Sequence, residues 1–215
     1  TGTALLTADT PELASLSLTG TLVFSNWNTT LSATNVVIAS GGIMTLPSAY
    51  TNTVMSNNVV IVCSNLTVAS GGKIDVSQRG YLGAQVAKGH GHGPGAGIGG
   101  GTHYGAGGSH GGYGGQSLHL FASDKRYGTD AWPVYPGSGG GGGLSGTGGS
   151  GGGAVRIDAV GAVVIDGSIL ADGGVPTVNW CGGGSGGSIA IACRMIEGGG
   201  TLSARGGASV STGGG

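Results

Sequence analysis

The chain has 215 residues, of which 53 are glycine and 8% are charged, and its formal net charge is -1. Soluble domains average roughly 7% glycine and about 25% charged residues, so this composition excludes an ordinary enzyme core. The positive mean hydropathy argues against charge-driven disorder. Because Lys and Arg number 8 against 9 Asp and Glu, and no apolar run approaches the roughly 20 residues that span a bilayer, we expect neither nucleic-acid binding nor membrane insertion.

The first predicted segment, residues 1–34, is strand-rich and contains many Thr and Ser residues. Near its end, Trp27 is a candidate stacking platform for a ligand, and Asn28-Thr29-Thr30 is a glycosylation sequon. A second sequon begins at Asn65. If the source glycosylates secreted proteins, sugars at Asn28 or Asn65 would supply the hydration that the scarce charges do not.

A repeated pattern, beginning within this segment, predicts the fold. Each copy reads Gly, any residue, Leu or Ile, any residue, then an apolar residue, and is predicted to be a short strand of period two. The copies begin at Gly20, Gly72, Gly167 and Gly200, with a looser one at Gly42. One or two further alternating runs precede most copies. The steps between copies are 22, 30, 95 and 33 residues, and all but the long one are typical of stacked coils. We therefore predict an all-β chain with a β-solenoid, or β-helix-like, architecture.

The coils are expected to bury aliphatic columns, because alternate residues of a strand point to the same side. We place coils at residues 35–82 and 154–215, and we expect the second set to continue or assemble beyond residue 215. The predicted inward residues are Leu22, Phe24, Ile74, Val76, Ile169, Ala171, Leu202 and Ala204.

The step of 95 residues locates an insertion at residues 83–153, of which 29 are glycine. One interpretation is a flexible loop. The other, which we favour, is a set of extended polyglycine II-like rods whose backbones bond to neighbouring rods, since so long and uncharged a tract is unusual for a linker. Aromatic residues are expected to cap the rods or cover the sheets: Tyr104, Tyr113, Phe121, Tyr127, Trp132 and Tyr135.

The histidines and cysteines raise two questions, whether the chain has a metal site and whether it has a disulfide bond. All five histidines, His90, His92, His103, His110 and His119, lie in the insertion. Their clustering suggests a metal site, but no Cys or acidic residue lies among them, so we predict none. The three cysteines, Cys63, Cys181 and Cys193, allow either one disulfide with a leftover thiol or buried free thiols.

Two stretches carry a resemblance to known proteins. Residues 182–191 read Gly-Gly-Gly-Ser-Gly-Gly-Ser-Ile-Ala-Ile, and residues 196–207 read Ile-Glu-Gly-Gly-Gly-Thr-Leu-Ser-Ala-Arg-Gly-Gly. This alternation resembles the glycine-rich β-helical repeats of large secreted bacterial surface and adhesin-like proteins. The glycine tracts are similar to the polyglycine II bundles of phage tail-tip adhesins and glycine-rich antifreeze proteins. The resemblance implies an extracellular, structural or adhesive role and supplies no catalytic residue.

We therefore predict an extracellular or cell-surface structural or adhesive protein that is not an enzyme, has no cofactor, and assembles head to tail with itself, as in a filament. A carbohydrate- or receptor-binding module is the alternative, with Trp27, Trp132, Tyr135 and Trp180 as stacking platforms. A polysaccharide-active β-helix enzyme needs convergent carboxylates, which the few turn aspartates do not offer. An ice-binding protein needs regularly spaced threonines, and the coil lengths are irregular.

Overall fold

The computed structural model describes residues 2–51, 53–100, 104–117, 125–129 and 131–209. Within these ranges the chain contains strands and no helix, and so no helix that could cross a membrane. The strands are β1 (Thr3–Leu6), β2 (Leu13–Leu18), β3 (Thr21–Phe24), β4 (Thr30–Ile38), β5 (Ile43–Thr45), β6 (Val59–Val68), β7 (Lys73–Asp75), β8 (Ala154–Ala159), β9 (Ala162–Ile165), β10 (Ser168–Leu170), β11 (Ser188–Ala192), β12 (Met195–Glu197) and β13 (Thr201–Ser203).

The first sheet has six parallel strands in the order β1-β3-β5-β7-β10-β13. Five of these strands are the predicted glycine-initiated copies, and they pair in register. The aliphatic position of each copy meets the same position of the next, which forms a column of Leu22, Met44, Ile74, Ile169 and Leu202. The repeat pattern therefore identified strands that are neighbours in space as well as similar in sequence.

The second sheet is also parallel, in the order β11-β8-β6-β4-β2, with β9 and β12 beside it. The long strand β6 pairs with β8 through its first half and with β9 through its second half. The β4–β6 pair keeps one register along its length, from Thr30 opposite Val60 to Ile38 opposite Val68. One long strand in the early units thus occupies the place of two short strands in the later units.

The core lies between the two sheets, and period-two alternation explains its composition. In β6 the alternation holds within each half of the strand: Ile61 and Cys63 are buried on either side of the exposed Val62, and Leu66 and Val68 are buried on either side of the half-buried Thr67. Two consecutive residues that are not buried, Ser64 and Asn65, separate the two halves. Predicted inward residues that the structure buries are Phe24, Ile74, Val76, Ile169 and Ala171. Leu22 is half-buried against this cluster.

The prediction is wrong for Leu202 and Ala204, which are exposed. Leu202 continues the column of Ile169, but β13 is the edge strand of its sheet and no described strand covers it. The described part of the chain is therefore all-β, as predicted, and its strands form two parallel sheets. Pairing between strands does not close the two sheets into one.

The glycine-rich region leaves the strand order undisturbed. Although about 90 residues separate β7 from β10 in the chain, Ile74 pairs directly with Ile169. The predicted insertion, residues 83–153, lies between β7 and β8. The boundary drawn at residues 34 and 35 falls within β4, and residues 210–215 lie outside the described part of the chain.

Candidate functional site

Residues 137–143, which we call the central rod, run through the middle of the glycine-rich region. Every amide and every carbonyl of the central rod is hydrogen-bonded. Bonds to one neighbouring segment recur every third residue: the carbonyls of Gly137 and Gly140 accept from the amides of Tyr81 and Ala84, at 3.0 Å each. None of its backbone bonds is made within the rod. A three-residue period without internal bonds matches an extended helix of three residues per turn.

Apart from the two partners of Gly143, all partners of the backbone groups of the central rod lie in six other segments, and these segments together with the central rod are called the glycine bundle. Some run in the same direction as the central rod and some in the opposite direction. Tyr81 and Ala84 bond to Gly137 and Gly140 in ascending order, whereas the amides of Gly137 and Gly140 donate to Gly152 and Gly149 in descending order. The six segments are residues 80–84, 89–92, 95–100, 105–109, 148–153 and 182–187.

Glycine is required in the bundle because the backbones lie too close for side chains. A methyl group at Gly149 would overlap the carbonyl oxygen of Gly174, and one at Gly148 would overlap that of Gly140. The obstructing atoms are backbone atoms of other buried segments, so they cannot rotate away. In contrast, Gly112 has no atom within 4 Å of the position a Cβ would take. Close backbone approach, more than unusual torsion angles, therefore explains the glycine content.

The alternating directions bring three described loops to one end of the bundle. Residues 85–88, 144–147 and 175–181 each connect an outgoing segment to a returning one. They are held together by the bond from the Lys88 amide to the Gly143 carbonyl, at 2.8 Å, and the bond from the Gly143 amide to the Cys181 sulfur, at 3.2 Å. We call these loops, with Tyr104, the tip. Function is frequently carried by loops that a rigid scaffold positions.

The tip exposes apolar side chains. Val86 is 65% exposed and Val175 is 55% exposed, and Leu144, Val178 and Trp180 are also exposed. The Trp180 ring meets the Tyr104 ring edge to face, with centroids 6.0 Å apart. The sequence of the three loops contains one charged residue, Lys88, and no carboxylate. Apolar side chains gathered on a soluble surface mark an interaction site.

The opposite end of the bundle, next to the sheets, is closed by tyrosines. The Tyr50 and Tyr81 rings are 4.9 Å apart, and both hydroxyl groups are buried. Burial raises the pKa of both tyrosines and of Tyr127. The Tyr127 hydroxyl accepts from Ser138 at 2.9 Å and donates to the Pro136 carbonyl. These residues anchor the start of the central rod, so Tyr127 caps the bundle as predicted for the aromatic residues.

A cleft of about 370 Å³ opens beside this end, and His110 forms part of its wall. The His110 side chain is buried, packs against Tyr127 with the rings tilted by 46° and their centroids 4.7 Å apart, and has Nδ1 3.1 Å from the Gly186 carbonyl. Burial lowers the pKa of His110, and the bond to Gly186 opposes this effect. The imidazole is therefore neutral at pH 7, and Nδ1 carries the proton because a carbonyl can only accept.

The structure distributes the four predicted stacking residues over different parts of the molecule. Trp180 lies on the tip. Trp132 and Tyr135 precede the central rod at the opposite end of the bundle, where their carbonyls accept from the hydroxyls of Thr129 and Ser188. Trp27 follows β3. They do not lie on one segment, and the exposed aliphatic residues of the tip were not among the predicted site residues.

The two sequon asparagines differ in their hydrogen bonds. The Asn65 amide nitrogen, to which a glycan would be attached, donates to Asn35 at 3.1 Å, and its oxygen accepts from the Ala162 amide. Asn28 uses its side-chain oxygen to accept from Asn58 at 3.1 Å and has a positive φ of 62°. A glycan at Asn65 would therefore be attached to a nitrogen that already donates to the neighbouring strand. A glycan at Asn28 can be attached with its bond from Asn58 preserved.

The three cysteines are free. Cys63 lies in the core, where burial and, secondarily, the nearby Asp158 carboxylate raise its pKa to about 11. Cys181 is buried under the tip and Cys193 is half-buried. Among the described residues, no group of three His, Cys, Asp or Glu side chains could hold a metal ion. His103 and His119 of the predicted histidine cluster lie outside those residues, as do Phe121, Asp124 and Asp130.

Comparisons with protein families, curated proteins and solved structures found no match to the chain.

Proposed function

We propose that this protein is a structural and adhesive module of a cell surface, in which stacked β-solenoid coils support a polyglycine II bundle that presents the tip. One observation carries the proposal: three loops with exposed apolar side chains meet at one end of the glycine bundle. The central rod of this bundle has every backbone amide and carbonyl hydrogen-bonded. A scaffold of this kind holds binding loops in a fixed arrangement at little entropic cost.

Two features support the solenoid part of the proposal. Each unit adds one parallel strand to the first sheet and either one long strand or two short strands to the second, and the strands repeat in register. Asparagines also stack on equivalent asparagines of the next unit, Asn28 with Asn58 and Asn35 with Asn65. Stacked identical amides are typical of architectures in which each unit contacts only its neighbours.

The polyglycine II part is supported by the three-residue period of the bonds and by six bonded neighbours around the central rod. Polyproline II geometry advances about 3.1 Å per residue, so the seven residues of the central rod hold the tip roughly 20 Å from the sheets. Distance from the sheets makes the tip accessible to a second surface.

The adhesive role can be tested with beads coated with the purified chain and held under shear flow over three surfaces: immobilised glycans, supported lipid bilayers and protein-coated glass. We expect retention on at least one surface. The tip variant Val86→Ser, Leu144→Ser, Val178→Ser should lose retention while keeping its circular dichroism spectrum. The matched control, Val54→Ser, Val62→Ser, Val160→Ser, changes exposed valines elsewhere and should be retained. Wild-type beads that detach from all three surfaces would overturn the adhesive role.

A second proposed role is head-to-tail association of copies, and the edge strands favour it. Ile196 is 53% exposed and Leu202 is 49% exposed, although they pair with the buried residues Val163 and Ile169. The two ends of the stack also differ in charge. Exposed Asp9 and Glu12 lie beside β2, whereas at the other end the exposed Arg194 and Arg205 outnumber the one exposed carboxylate of β12, Glu197. A copy whose β1 and β2 extend the sheets at β13 and β12 would cover the apolar residues.

A further inference from the structure

We infer that the tip binds the surface of an anionic lipid bilayer by shallow insertion of its loops. This inference rests on the adhesive function proposed above and names the surface that the tip recognises. The apolar residues are aliphatic on all three loops: Val86 on the first, Leu144 on the second, and Val175 and Val178 on the third. Lipid acyl chains cover such side chains, whereas the hydroxyl-rich surface of a glycan leaves them in contact with water.

The aromatic residues of the tip fit the boundary between lipid and water. Trp180 is partly exposed, and its ring is braced by Tyr104. The carbonyl of Trp180 accepts from the Gly105 amide at 2.7 Å, which fixes this part of the loop to the bundle. Tryptophan and tyrosine prefer the headgroup region of a bilayer, because one end of each side chain is apolar and the other is polar.

The charge of the tip differs from that of the whole chain. The near-zero net charge led us to expect no membrane partner, but the carboxylates are unevenly distributed. The sequence has no Asp or Glu between residues 76 and 123, between 131 and 157, or between 173 and 196, and these ranges include all three loops. Lys88 is exposed at the tip. Because the three loops carry one lysine and no carboxylate, their net positive charge is attracted to anionic headgroups. Peripheral binding of this kind requires no membrane-spanning segment.

The glycine bundle determines how deeply the tip can enter. The loops are short and are tied to the central rod through Gly143, so they cannot extend far beyond the bundle. Only the side chains beyond the last bonded glycines are free to leave water. The structure thus predicts a contact that reaches the headgroups and the upper acyl chains, with the bundle and the sheets remaining outside.

The test uses the full chain with Trp27→Phe and Trp132→Phe, so that Trp180 is the only tryptophan. Vesicles of pure phosphatidylcholine and vesicles of phosphatidylcholine with phosphatidylglycerol are added in turn. We expect sedimentation with the mixed vesicles, a blue shift of Trp180 emission, and quenching by brominated acyl chains. Val86→Ser, Leu144→Ser, Val178→Ser in this background should weaken binding at least tenfold, and Lys88→Gln should reduce the preference for the anionic vesicles.

The control Val160→Ser removes an exposed valine of the sheet region and should bind as the parent does. An equal loss in this control would overturn the assignment of the contact to the tip. If neither vesicle type binds while coated beads are still retained on glycans or protein, the lipid inference is wrong and the adhesive function stands. If beads are retained on no surface, both are wrong.

Discussion

Glycine at position 149 is required by its neighbours in space. Its amide donates to Gly182, and a Cβ there would overlap the Gly174 carbonyl oxygen. We expect Gly149→Ala to lower the free energy of unfolding by about 1–3 kcal/mol or more, because buried backbone would have to move. Gly112→Ala, in the same insertion but with open space at Cβ, should change it by less than about 1 kcal/mol. Urea denaturation measures both, and equal costs would contradict the close packing.

His110 is expected to make stability depend on pH. Its pKa is lowered by burial in the folded chain, whereas the unfolded chain keeps the ordinary value of 6.5. Between these two pKa values the unfolded chain binds more protons, so stability is present above pH 6.5 and is lost as pH falls below it.

The measurement is urea denaturation of the wild type and of His110→Gln from pH of about 7.5 to about 5, above the range in which ordinary carboxylates titrate. We expect the wild type to lose more stability on acidification than the variant, because glutamine does not titrate. The remaining histidines are common to both proteins and cancel in the difference. Parallel pH profiles would show that His110 is not buried in the neutral form.

At the scale of one strand, the column through β10 gives a matched pair of substitutions. Ile169 is fully buried between Ile74 and Leu202, so Ile169→Asp should cost more than about 4 kcal/mol by placing a charge in an apolar stack. Ser168 points to the other side and pairs with Lys73, so Ser168→Asp should change stability by less than about 0.5 kcal/mol. Thermal unfolding that shows equal tolerance of both would refute the register.

The strands were predictable because the repeat is local. A glycine followed by period-two alternation defines five strands of the first sheet, and similar patterns pair because their side chains fit the same column. The exposure of side chains on the edge strand β13 was not predictable from the repeat pattern. Leu202 carries the same pattern as Ile169, and only the absence of a covering strand among the described residues separates an exposed side chain from a buried one.

The tip could be predicted only in part. Leu144 and Val178 each lie between two runs of glycine, and this position is the signal that marks a loop between rods. Val86 lies between the isolated glycines Gly83 and Gly89, so its signal is weaker. Aromatic residues were instead chosen as binding residues, because their stacking is recognisable from residue type alone. Which loops meet depends on the direction of each rod, and glycine runs carry no side-chain pattern that encodes direction. Of the four predicted stacking residues, only Trp180 lies on the tip.

For the whole molecule, the edge strands predict association. We expect the wild-type mass measured by light scattering after size-exclusion chromatography to grow with concentration, through a heterologous contact that does not close into a ring. Leu202→Lys should keep the chain monomeric, because it places a charge on the exposed column. Val160→Lys, on an exposed side chain of another region, should not. If the wild type stays monomeric at high concentration, the proposed head-to-tail association is wrong, and only the proposed binding role remains.

The bonding of the central rod also has a consequence for folding. Its partners come from residues 80–109 on one side of it in the chain and from residues 148–187 on the other, so none of its bonds forms within the rod and most join distant parts of the chain. Ordering such contacts requires the closure of many long loops, which slows folding. The amides of residues 137–142 should therefore exchange with solvent deuterium only through opening of the entire bundle, at one common and slow rate.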